Sequence, residues 1–442
     1  MSSTVYLAAV GCRVNQAEID GLAAELVHRG FVAIADPARA DLVVLNTCAV
    51  TGSADTDGRK LVRRIHRTNP AARIVVTGCQ AERDAEALVT IPGVTLVAGN
   101  GAKATLAELV AALAPDAEPR IERPPLTADQ PFAALAFDPT LASSSRPLVK
   151  IQDGCDRSCA FCVIPGARGG SRSLEAGAVI ERLAAIGRAG HAEAVLTGID
   201  LGSWGADLEP ASDLARLLDH LDRERPVRRI RLSSLDPRDL GDELTERIAR
   251  YSWIRPHLHV SIQTGSAEVH RRMGRGRWPQ GLEARLWALV RARPGLALGL
   301  DVLTGFPGES ERDHEHSLEW IREQPVTYLH VFPYSPRPGT AAFDWPTSDG
   351  LALGAPVAQQ TLRRRAGELR ELGLRMRLAF HQRHVGQVVE CVLERIDDGL
   401  GRGISESFIA MEWPISDRQR VGGLTAVRVV AAREQGCRGV AA

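Results

Sequence analysis

Residues 154–162 have the sequence GCDRSCAFC, in which Cys155, Cys159 and Cys162 follow the spacing CxxxCxxC. Three thiolates on one short loop can bind three irons of a [4Fe-4S] cube and leave the fourth iron with an open coordination position. Zinc sites usually pair a CxxC with a second, distant cysteine pair, and no such pair follows downstream. The spacing therefore favours an iron–sulfur cluster with one open iron over a zinc site or a chance grouping of cysteines.

The cysteine loop follows the first of six aliphatic segments that alternate with helical segments. The predicted strands are Leu148–Gln152, Ala194–Thr197, Arg229–Ser233, Leu258–Ile262, Ala297–Leu303 and Tyr328–Phe332. Repeated right-handed β-α units curl into a barrel, and six units predict a partial barrel instead of a closed eight-stranded one. Ligands bind at the C-terminal ends of such strands, so the cysteine loop lies where a ligand is expected.

The chain divides into three predicted domains and a linker. Residues 1–115 alternate short aliphatic strands with helices, a pattern typical of a parallel α/β domain. Residues 116–145 are rich in Pro, Ala and Ser and predict a linker. Residues 146–378 contain the partial barrel, and residues 379–436 predict a small antiparallel β-barrel with Gly-rich turns. The predicted fold class is therefore α/β, with a C-terminal β-barrel.

A second group of cysteines lies in the N-terminal domain. Cys12, Cys48 and Cys79 each follow a predicted strand, at Val5–Val10, Asp41–Asn46 and Arg73–Thr77. Because the carboxyl ends of parallel strands meet at one edge of a sheet, the three thiols are expected to converge there. Cysteine is often a small buried hydrophobe, but the glycine and polar neighbours of these three argue against that role. We therefore predict a second [4Fe-4S] cluster with an open iron, whereas Cys391 and Cys437 have no ligand spacing and are interpreted as structural.

The composition restricts the class of protein. The 442 residues carry a formal net charge of +0, which argues against a protein that coats nucleic acid by bulk electrostatics. No segment approaches the roughly 20 apolar residues of a membrane span, and the N-terminus lacks the features of a signal peptide. We expect a cytoplasmic protein without membrane contact, in which eight cysteines indicate metal ligation or catalysis more than disulfides.

The barrel segment resembles the radical S-adenosylmethionine (SAM) superfamily, from the cysteine loop with Phe161 before its last cysteine to the strand ends that follow. Those strand ends are RLSS at residues 231–234, HVSIQTGS at 259–266 and GLDVLTGFPGE at 299–309. The resemblance implies that the open iron binds the amino and carboxylate groups of SAM, and that one electron cleaves SAM to a 5′-deoxyadenosyl radical. It also implies that SAM is contacted by Ser233, Gln263 and Asp301.

With its two cysteine triads, the chain resembles the radical SAM methylthiotransferase family, and the resemblance spans nearly the whole chain. The matching motifs are GCRVNQ at residues 11–16, NTCAVT at 46–51, TGC at 77–79 and VFPYSPRPGT at 331–340. The C-terminal barrel resembles a TRAM domain, a small RNA-binding module. GCRVNQ resembles the branch that acts on threonylcarbamoyladenosine beside the tRNA anticodon. The isopentenyladenosine branch more often has QMN there, and the branch that modifies a ribosomal-protein aspartate has PKN.

The family resemblance implies a reaction and a set of partners. The cluster on Cys155, Cys159 and Cys162 would cleave SAM, and the radical would abstract hydrogen from carbon 2 of the adenine. The cluster on the N-terminal cysteines would present methylated sulfur to the base. The expected partners are tRNA, through its anticodon stem-loop, and an electron donor such as flavodoxin, and we expect a monomer.

RNA contact is expected at a basic helix over residues 357–381 and at the C-terminal barrel. Single-stranded loops can splay a base into a protein pocket, and arginines can hold the backbone. The alternative for the helix is a solvated face, because Glu368 and Glu371 lie among its arginines.

Other interpretations of the sequence remain open. The same chemistry could act on isopentenyladenosine in tRNA or on a protein aspartate. From another class, the chain could be an RNA-binding iron–sulfur protein without catalysis, such as a redox-sensitive regulator. SAM cleavage to 5′-deoxyadenosine separates the enzyme from the regulator, and the run of Gly-bearing strand ends in the barrel favours the enzyme.

Overall fold

The computed structural model describes residues 3–127, 130–344, 354–415 and 419–442. The strands of its N-terminal domain are β1 (Thr4–Ala9), β2 (Val32–Ala33), β3 (Leu42–Thr47), β4 (Arg73–Gly78), β5 (Val94–Ala98) and β6 (Arg120–Glu122). Its helices are α1 (Arg13–His28), α2 (Gly52–Thr68), α3 (Cys79–Arg83), α4 (Ala85–Val89) and α5 (Leu106–Ala111). The strands form one sheet in the order β2-β1-β3-β4-β5-β6, and every pairing is parallel.

Strand β3 shows why this sheet has helices on both faces. All six of its residues are buried. Leu42 and Val44 belong to one apolar core, and Val43 and Leu45 belong to the core on the opposite face. An aliphatic run buried on both sides is typical of a parallel strand between two helical layers. The predicted parallel α/β domain is therefore confirmed.

Part of the predicted linker joins the N-terminal domain. Strand β6 lies within residues 116–145, pairs with β5 and so extends the sheet beyond residue 115. Leu135 is buried, and the neighbouring Ala136 N–H donates a 2.9 Å hydrogen bond to Glu25 of α1. The sequence shows no strand pattern here, because β6 has only three residues, two of them charged, and prolines lie nearby.

The central domain contains the six strands predicted from the sequence and one short hairpin. Its strands are β7 (Leu148–Lys150), β8 (Gln152–Asp153), β9 (Arg172–Ser173), β10 (Glu193–Thr197), β11 (Arg229–Leu232), β12 (His257–Gln263), β13 (Ala297–Thr304) and β14 (Tyr328–Pro333). Strands β8 and β9 form a separate antiparallel pair. The parallel sheets β11-β10-β7 and β12-β13-β14 are joined by the bridges Ile230–Ile254 and Leu235–Val260. The six strands therefore form a partial barrel.

Helices of the central domain follow the barrel strands, and polar side chains line the inside of the partial barrel. The helices are α6 (Ile164–Arg168), α7 (Ala176–Arg188), α8 (Leu214–Glu224), α9 (Asp242–Arg250), α10 (Ala267–Arg272), α11 (Leu282–Ala292), α12 (Glu311–Glu323) and α13 (Gln359–Gln382). Along β12, Leu258, Val260 and Ile262 pack in the apolar core with the helices. The alternate residues His257 and His259 face the lumen, since successive side chains of a strand point to opposite faces. No helix in the described part of the chain is long and apolar enough to cross a membrane.

The C-terminal domain is a closed barrel of five strands. They are β15 (Val388–Asp397), β16 (Leu400–Ser405), β17 (Ala410–Pro414), β18 (Leu424–Arg433) and β19 (Gly436–Ala441), in the order β15-β16-β17-β19-β18. The pairing of β17 with β19 is parallel, and the other pairings are antiparallel. Strand β19 extends beyond the predicted boundary at residue 436, because its glycines and alanines give little strand signal. Cys391 and Cys437 are buried in the barrel core around Trp413.

Candidate cluster sites and the interface between them

The first cysteine triad lies on the loop between β8 and α6, at the mouth of the partial barrel. Cys155, Cys159 and Cys162 are all partly exposed and line one cavity of about 470 Å³. Gly154 allows the loop to close on itself. Its φ is +73°, and a Cβ there would lie 1.8 Å from the carbonyl oxygen of Gly170. Three thiols that share one cavity without a fourth cysteine fit a cluster with an open iron.

The protein surroundings favour the neutral thiols of Cys155 and Cys162 until metal binds. Burial, together with the negative charge of Asp200, raises the pKa of Cys155 to about 12. Burial also raises the pKa of Cys162 to about 11. Because iron binds the thiolate, filling this site releases protons. Arg275 Nη1 lies 3.6 Å from Cys159 Sγ and so offers positive charge to a thiolate there.

The second triad lies where the sequence predicts it, at one edge of the N-terminal sheet. Cys12 follows β1, Cys48 follows β3 directly, and Cys79 follows β4 directly. Burial, with smaller contributions from the nearby thiols of Cys79 and Cys12, raises the pKa of Cys48 to about 11. Gly11 keeps the edge compact, because a Cβ at its φ of +111° would lie 2.9 Å from Cys48 Sγ. The fold therefore brings the three cysteines together.

The two triads face each other across the interface between the N-terminal domain and the partial barrel. Ala49 and Cys79 pack in one buried apolar cluster with Val163 and Ala167, which follow the first cysteine loop. The Cys79 thiol is also among the groups that raise the pKa of Cys162, after burial and Cys159. The side chains of the two triads are thus electrostatic neighbours.

A fully buried arginine connects the two sites. Arg168, the last residue of α6, donates from Nε to Cys79 Sγ at 3.2 Å. Its Nη1 donates to Glu18 of α1 and to Asp153 of β8, both at 2.8 Å. Its Nη2 donates to Asn15 Oδ1 at 2.7 Å. One guanidinium therefore binds both domains and a candidate cluster ligand.

Two lysines complete this buried ion network. Lys150 Nζ lies 2.8 Å from Glu18 and 2.7 Å from Asp153, and Lys103 Nζ lies 3.1 Å from Glu18. Burial opposes the ionisation of Glu18, but Arg168, Lys103 and Lys150 hold its pKa well below the usual range. Arg172 also lies 3.7 Å from Asp153. Four cations therefore face two carboxylates, which leaves positive charge beside Cys79. A thiolate-bound iron–sulfur cluster is an anionic group of the kind that would balance this charge.

The structure places two of the three residues predicted to contact SAM around one cavity. Gln263 and Asp301 line a cavity of about 200 Å³ together with Cys162, and Val50 and Thr51 of the N-terminal domain close it. Gln263 has a φ of +71°, an unusual backbone conformation for a residue other than glycine. Asp301 accepts a 3.0 Å hydrogen bond from Ser261.

Ser233, the third predicted SAM contact, lies at the end of β11. It is not among the residues that line this cavity. Its Oγ is buried and has no hydrogen-bond partner within the part of the chain that the structure describes. An unsatisfied buried hydroxyl costs free energy, so this atom fits a polar ligand group that the chain itself does not supply.

Sequence reasoning missed the buried network and the charged lumen. Lys150 carries a detectable signal, because a lysine inside an aliphatic strand is rarely buried without a partner. Arg168 carries none, since it follows a loop with glycine and proline and its partner Glu18 lies 150 residues away. In the lumen, His259, Asp301 and His330 bring their ligand atoms within 4.8 Å of one another.

Comparison with known proteins agrees with this architecture. Residues 4–99 match the Uncharacterized protein family UPF0004, and residues 149–321 match the Radical SAM superfamily. Threonylcarbamoyladenosine tRNA methylthiotransferase MtaB of Bacillus subtilis (strain 168) is 37% identical over 77% of this chain and 75% of its own length. The protein of the same name from Aquifex aeolicus (strain VF5) is 32% identical over 87% of this chain and 91% of its own length.

Other similar proteins differ in name. Ribosomal protein uS12 methylthiotransferase RimO of Anaeromyxobacter sp. (strain Fw109-5) is 36% identical over 78% of this chain and 73% of its own length. Among solved structures, the radical S-adenosylmethionine methyltransferase TsrM from Kitasatospora setae, with cobalamin and a [4Fe-4S] cluster bound, superposes with a TM-score of 0.56. The two chains share 18% identity over 81% of this chain and 83% of the other, so this likeness concerns the fold.

The fold and the two cysteine triads define a radical SAM enzyme. Because relatives 32% and 37% identical align with most of the chain, the protein belongs to the radical SAM methylthiotransferase family. It is therefore a transferase that uses SAM and [4Fe-4S] clusters. The resemblance to this family that the sequence motifs indicate is confirmed. The predicted fold class, α/β with a C-terminal β-barrel, is confirmed as well.

Replacing Arg168 with Met is expected to lower the free energy of unfolding by about 3–5 kcal/mol, because it leaves buried carboxylates short of a partner. Arg216→Met is the control, since this side chain is 66% exposed and lies 3.4 Å from Asp213. An exposed pair contributes about 1 kcal/mol or less. Urea denaturation measures both variants, and equal losses would show that the network does not stabilise the interface.

Proposed function

We propose that this protein is a tRNA methylthiotransferase that adds a methylthio group to carbon 2 of threonylcarbamoyladenosine beside the anticodon. The observation that carries the proposal is the meeting of two cysteine triads across one interface, with Cys79 packed against Val163 and Ala167. A reaction that joins a sulfur group to a radical-activated carbon needs its radical source and its sulfur donor side by side. The facing triads meet this requirement.

Each triad is assigned one cluster in this proposal. Cys155, Cys159 and Cys162 hold the cluster that binds SAM, and Cys12, Cys48 and Cys79 hold the second. When bound, the clusters and SAM supply a 5′-deoxyadenosyl radical and a methylated sulfur. SAM is assigned to the cavity of Gln263 and Asp301, with Ser233 Oγ as a further contact.

The protein's own side chains orient the reacting groups and exclude water. Arg168 at Cys79 and Arg275 at Cys159 place positive charge beside ligand sulfurs. Phe161, Leu303 and Phe332 give the 200 Å³ cavity largely apolar walls. Such walls keep water from a reactive radical, which is the usual contribution of the protein in cofactor chemistry.

The choice of tRNA rests on the relatives and on the C-terminal barrel. Two relatives, 32% and 37% identical to this chain, carry threonylcarbamoyladenosine in their names. The ribosomal protein uS12 methylthiotransferase is 36% identical, which lies between these two values. The barrel has the size and closure of small modules that bind nucleic acid. A tRNA acceptor also matches the expected anticodon stem-loop partner and the GCRVNQ motif.

Only part of the basic helix α13 is free to contact RNA. Arg364 pairs with Glu311 and Glu368, and Arg365 pairs with Glu309. Arg375 also pairs with a glutamate of its own helix. The arginines of α13 that form no ion pair within the described residues are Arg363, Arg370 and Arg377. Arg363 and Arg370 are exposed, and these two are the arginines of α13 that we assign to RNA.

The assignment of the two triads predicts different effects of their removal. Replacing Cys155, Cys159 and Cys162 with Ala is expected to lower iron from about eight to about four per chain and to abolish SAM cleavage. Replacing the N-terminal triad should remove the same amount of iron and abolish methylthio transfer, yet leave SAM cleavage. Iron analysis and 5′-deoxyadenosine measurement test this after anaerobic reconstitution. Cys437→Ala is the control that should retain all iron, and unchanged iron in either triple variant would refute the assignment.

The substrate assignment predicts the loss of one nucleoside from a deletion strain. Its tRNA should lack methylthio-threonylcarbamoyladenosine and accumulate threonylcarbamoyladenosine, because carbon 2 is no longer modified. Mass spectrometry of digested tRNA measures both nucleosides, and the wild-type gene on a plasmid should restore the product. An unchanged nucleoside profile, combined with an unmodified aspartate in a ribosomal protein of the deletion strain, would contradict the proposal. It would indicate that the protein modifies the ribosomal-protein aspartate.

A further inference from the structure

A second cavity, of about 240 Å³, lies apart from the one assigned to SAM. It lies between β14, α13 and the C-terminal barrel, and its walls include Tyr328, His330, Arg377 and Phe408. His330 Nδ1 lies 3.4 Å from Asp301 Oδ1, and Asp301 lines the first cavity beside Cys162. This contact between His330 and Asp301 therefore connects the two cavities.

Two guanidinium groups, one in the wall of the second cavity and one against its wall residue Phe408, have no ion-pair partner within the described residues. Arg377 Cζ lies 5.6 Å from the centroid of the Tyr328 ring, and Arg13 Cζ lies 5.8 Å from that of Phe408. The two rings are 6.2 Å apart. Neither the Arg13 nor the Arg377 side chain forms an ion pair or hydrogen bond with any residue in the described ranges. By contrast, Arg231, which also lies over Phe408, is paired with Glu193 at 3.0 Å.

Unpaired arginines at partly buried positions indicate an anionic ligand. Removing a guanidinium from water is costly unless an anion compensates, and both arginines are partly buried. The guanidinium fork matches a carboxylate with two parallel hydrogen bonds. The rings of Tyr328 and Phe408, each in contact with one of the arginines, offer a flat surface to a planar group such as a carbamoyl.

We propose that Arg13 and Arg377 bind the carboxylate of the substituent on N6 of the substrate adenosine. The inference rests on the proposed function and deepens it, because the threonylcarbamoyl group ends in a carboxylate whereas an isopentenyl group has no charge. With the adenine beside Cys162, the N6 substituent extends past Asp301 and His330 into the second cavity. Arg13 directly follows the candidate cluster ligand Cys12, so substrate recognition and sulfur transfer are built on neighbouring residues.

The test compares binding of two anticodon stem-loops that differ only in the N6 substituent. The reconstituted protein is expected to bind the threonylcarbamoyladenosine stem-loop at least about tenfold more tightly than the adenosine stem-loop, as for charge-assisted hydrogen bonds. Arg13→Met and Arg377→Met should each lose most of this preference but bind the adenosine stem-loop as the wild type does. Arg370→Met, in the same helix and exposed, is the control that should keep the preference.

Conservative variants separate recognition from folding. Arg13→Lys and Arg377→Lys keep the positive charge and should recover part of the preference, while thermal melting checks that every variant is folded. Variants that keep the full preference, or that weaken both stem-loops equally, overturn the inference and leave the proposed function standing. A wild-type protein without any preference, combined with an unchanged nucleoside profile in the deletion strain, refutes the proposed function as well.

Discussion

The hydrogen bonds of Arg168 hold together the parts on which the chemistry depends. Its guanidinium is fully buried and binds Glu18 of the N-terminal domain, Asp153 of the barrel and the sulfur of Cys79. Taking these charges out of water is costly, so the arrangement is stable only while every partner is present. Without any one partner, a buried charge would lack compensation, and the contact between the two cysteine triads would weaken. The network therefore couples the position of one candidate cluster to that of the other.

Glycines and strand ends bring the cysteines to this network. Gly11 and Gly154 adopt positive φ values where a side chain would collide with Cys48 or with the backbone of Gly170. The cysteines of the N-terminal triad follow parallel strands that end at one edge of a sheet, and the barrel presents its own loop at the corresponding edge. Both domains thus use the same property of parallel sheets, which is that loops gather at the carboxyl ends of strands. The interface joins these two edges.

The sequence was sufficient for the features that local patterns encode. The six barrel strands, the parallel N-terminal sheet and both cysteine triads follow from aliphatic periodicity and from cysteines placed after strands. The network around Arg168 could not be predicted, because Glu18 and Arg168 are far apart in sequence and each alone resembles a surface residue. Strands β6 and β19 could not be predicted, because β6 is short and partly charged and β19 is rich in glycine and alanine. Which cavity holds the N6 substituent depends on how three domains pack, and no local pattern encodes that.

The facing arrangement of the two clusters is tested most directly by electron paramagnetic resonance of the fully reduced, reconstituted protein. The reference spectra come from the two variants in which either triad is replaced by Ala, each of which retains a single cluster. If the clusters lie close together across the interface, the spectrum of the intact protein will show broadening and faster relaxation from magnetic interaction. An intact spectrum equal to the sum of the two single-cluster spectra would contradict the arrangement and, with it, the mechanism built on the meeting of the two triads.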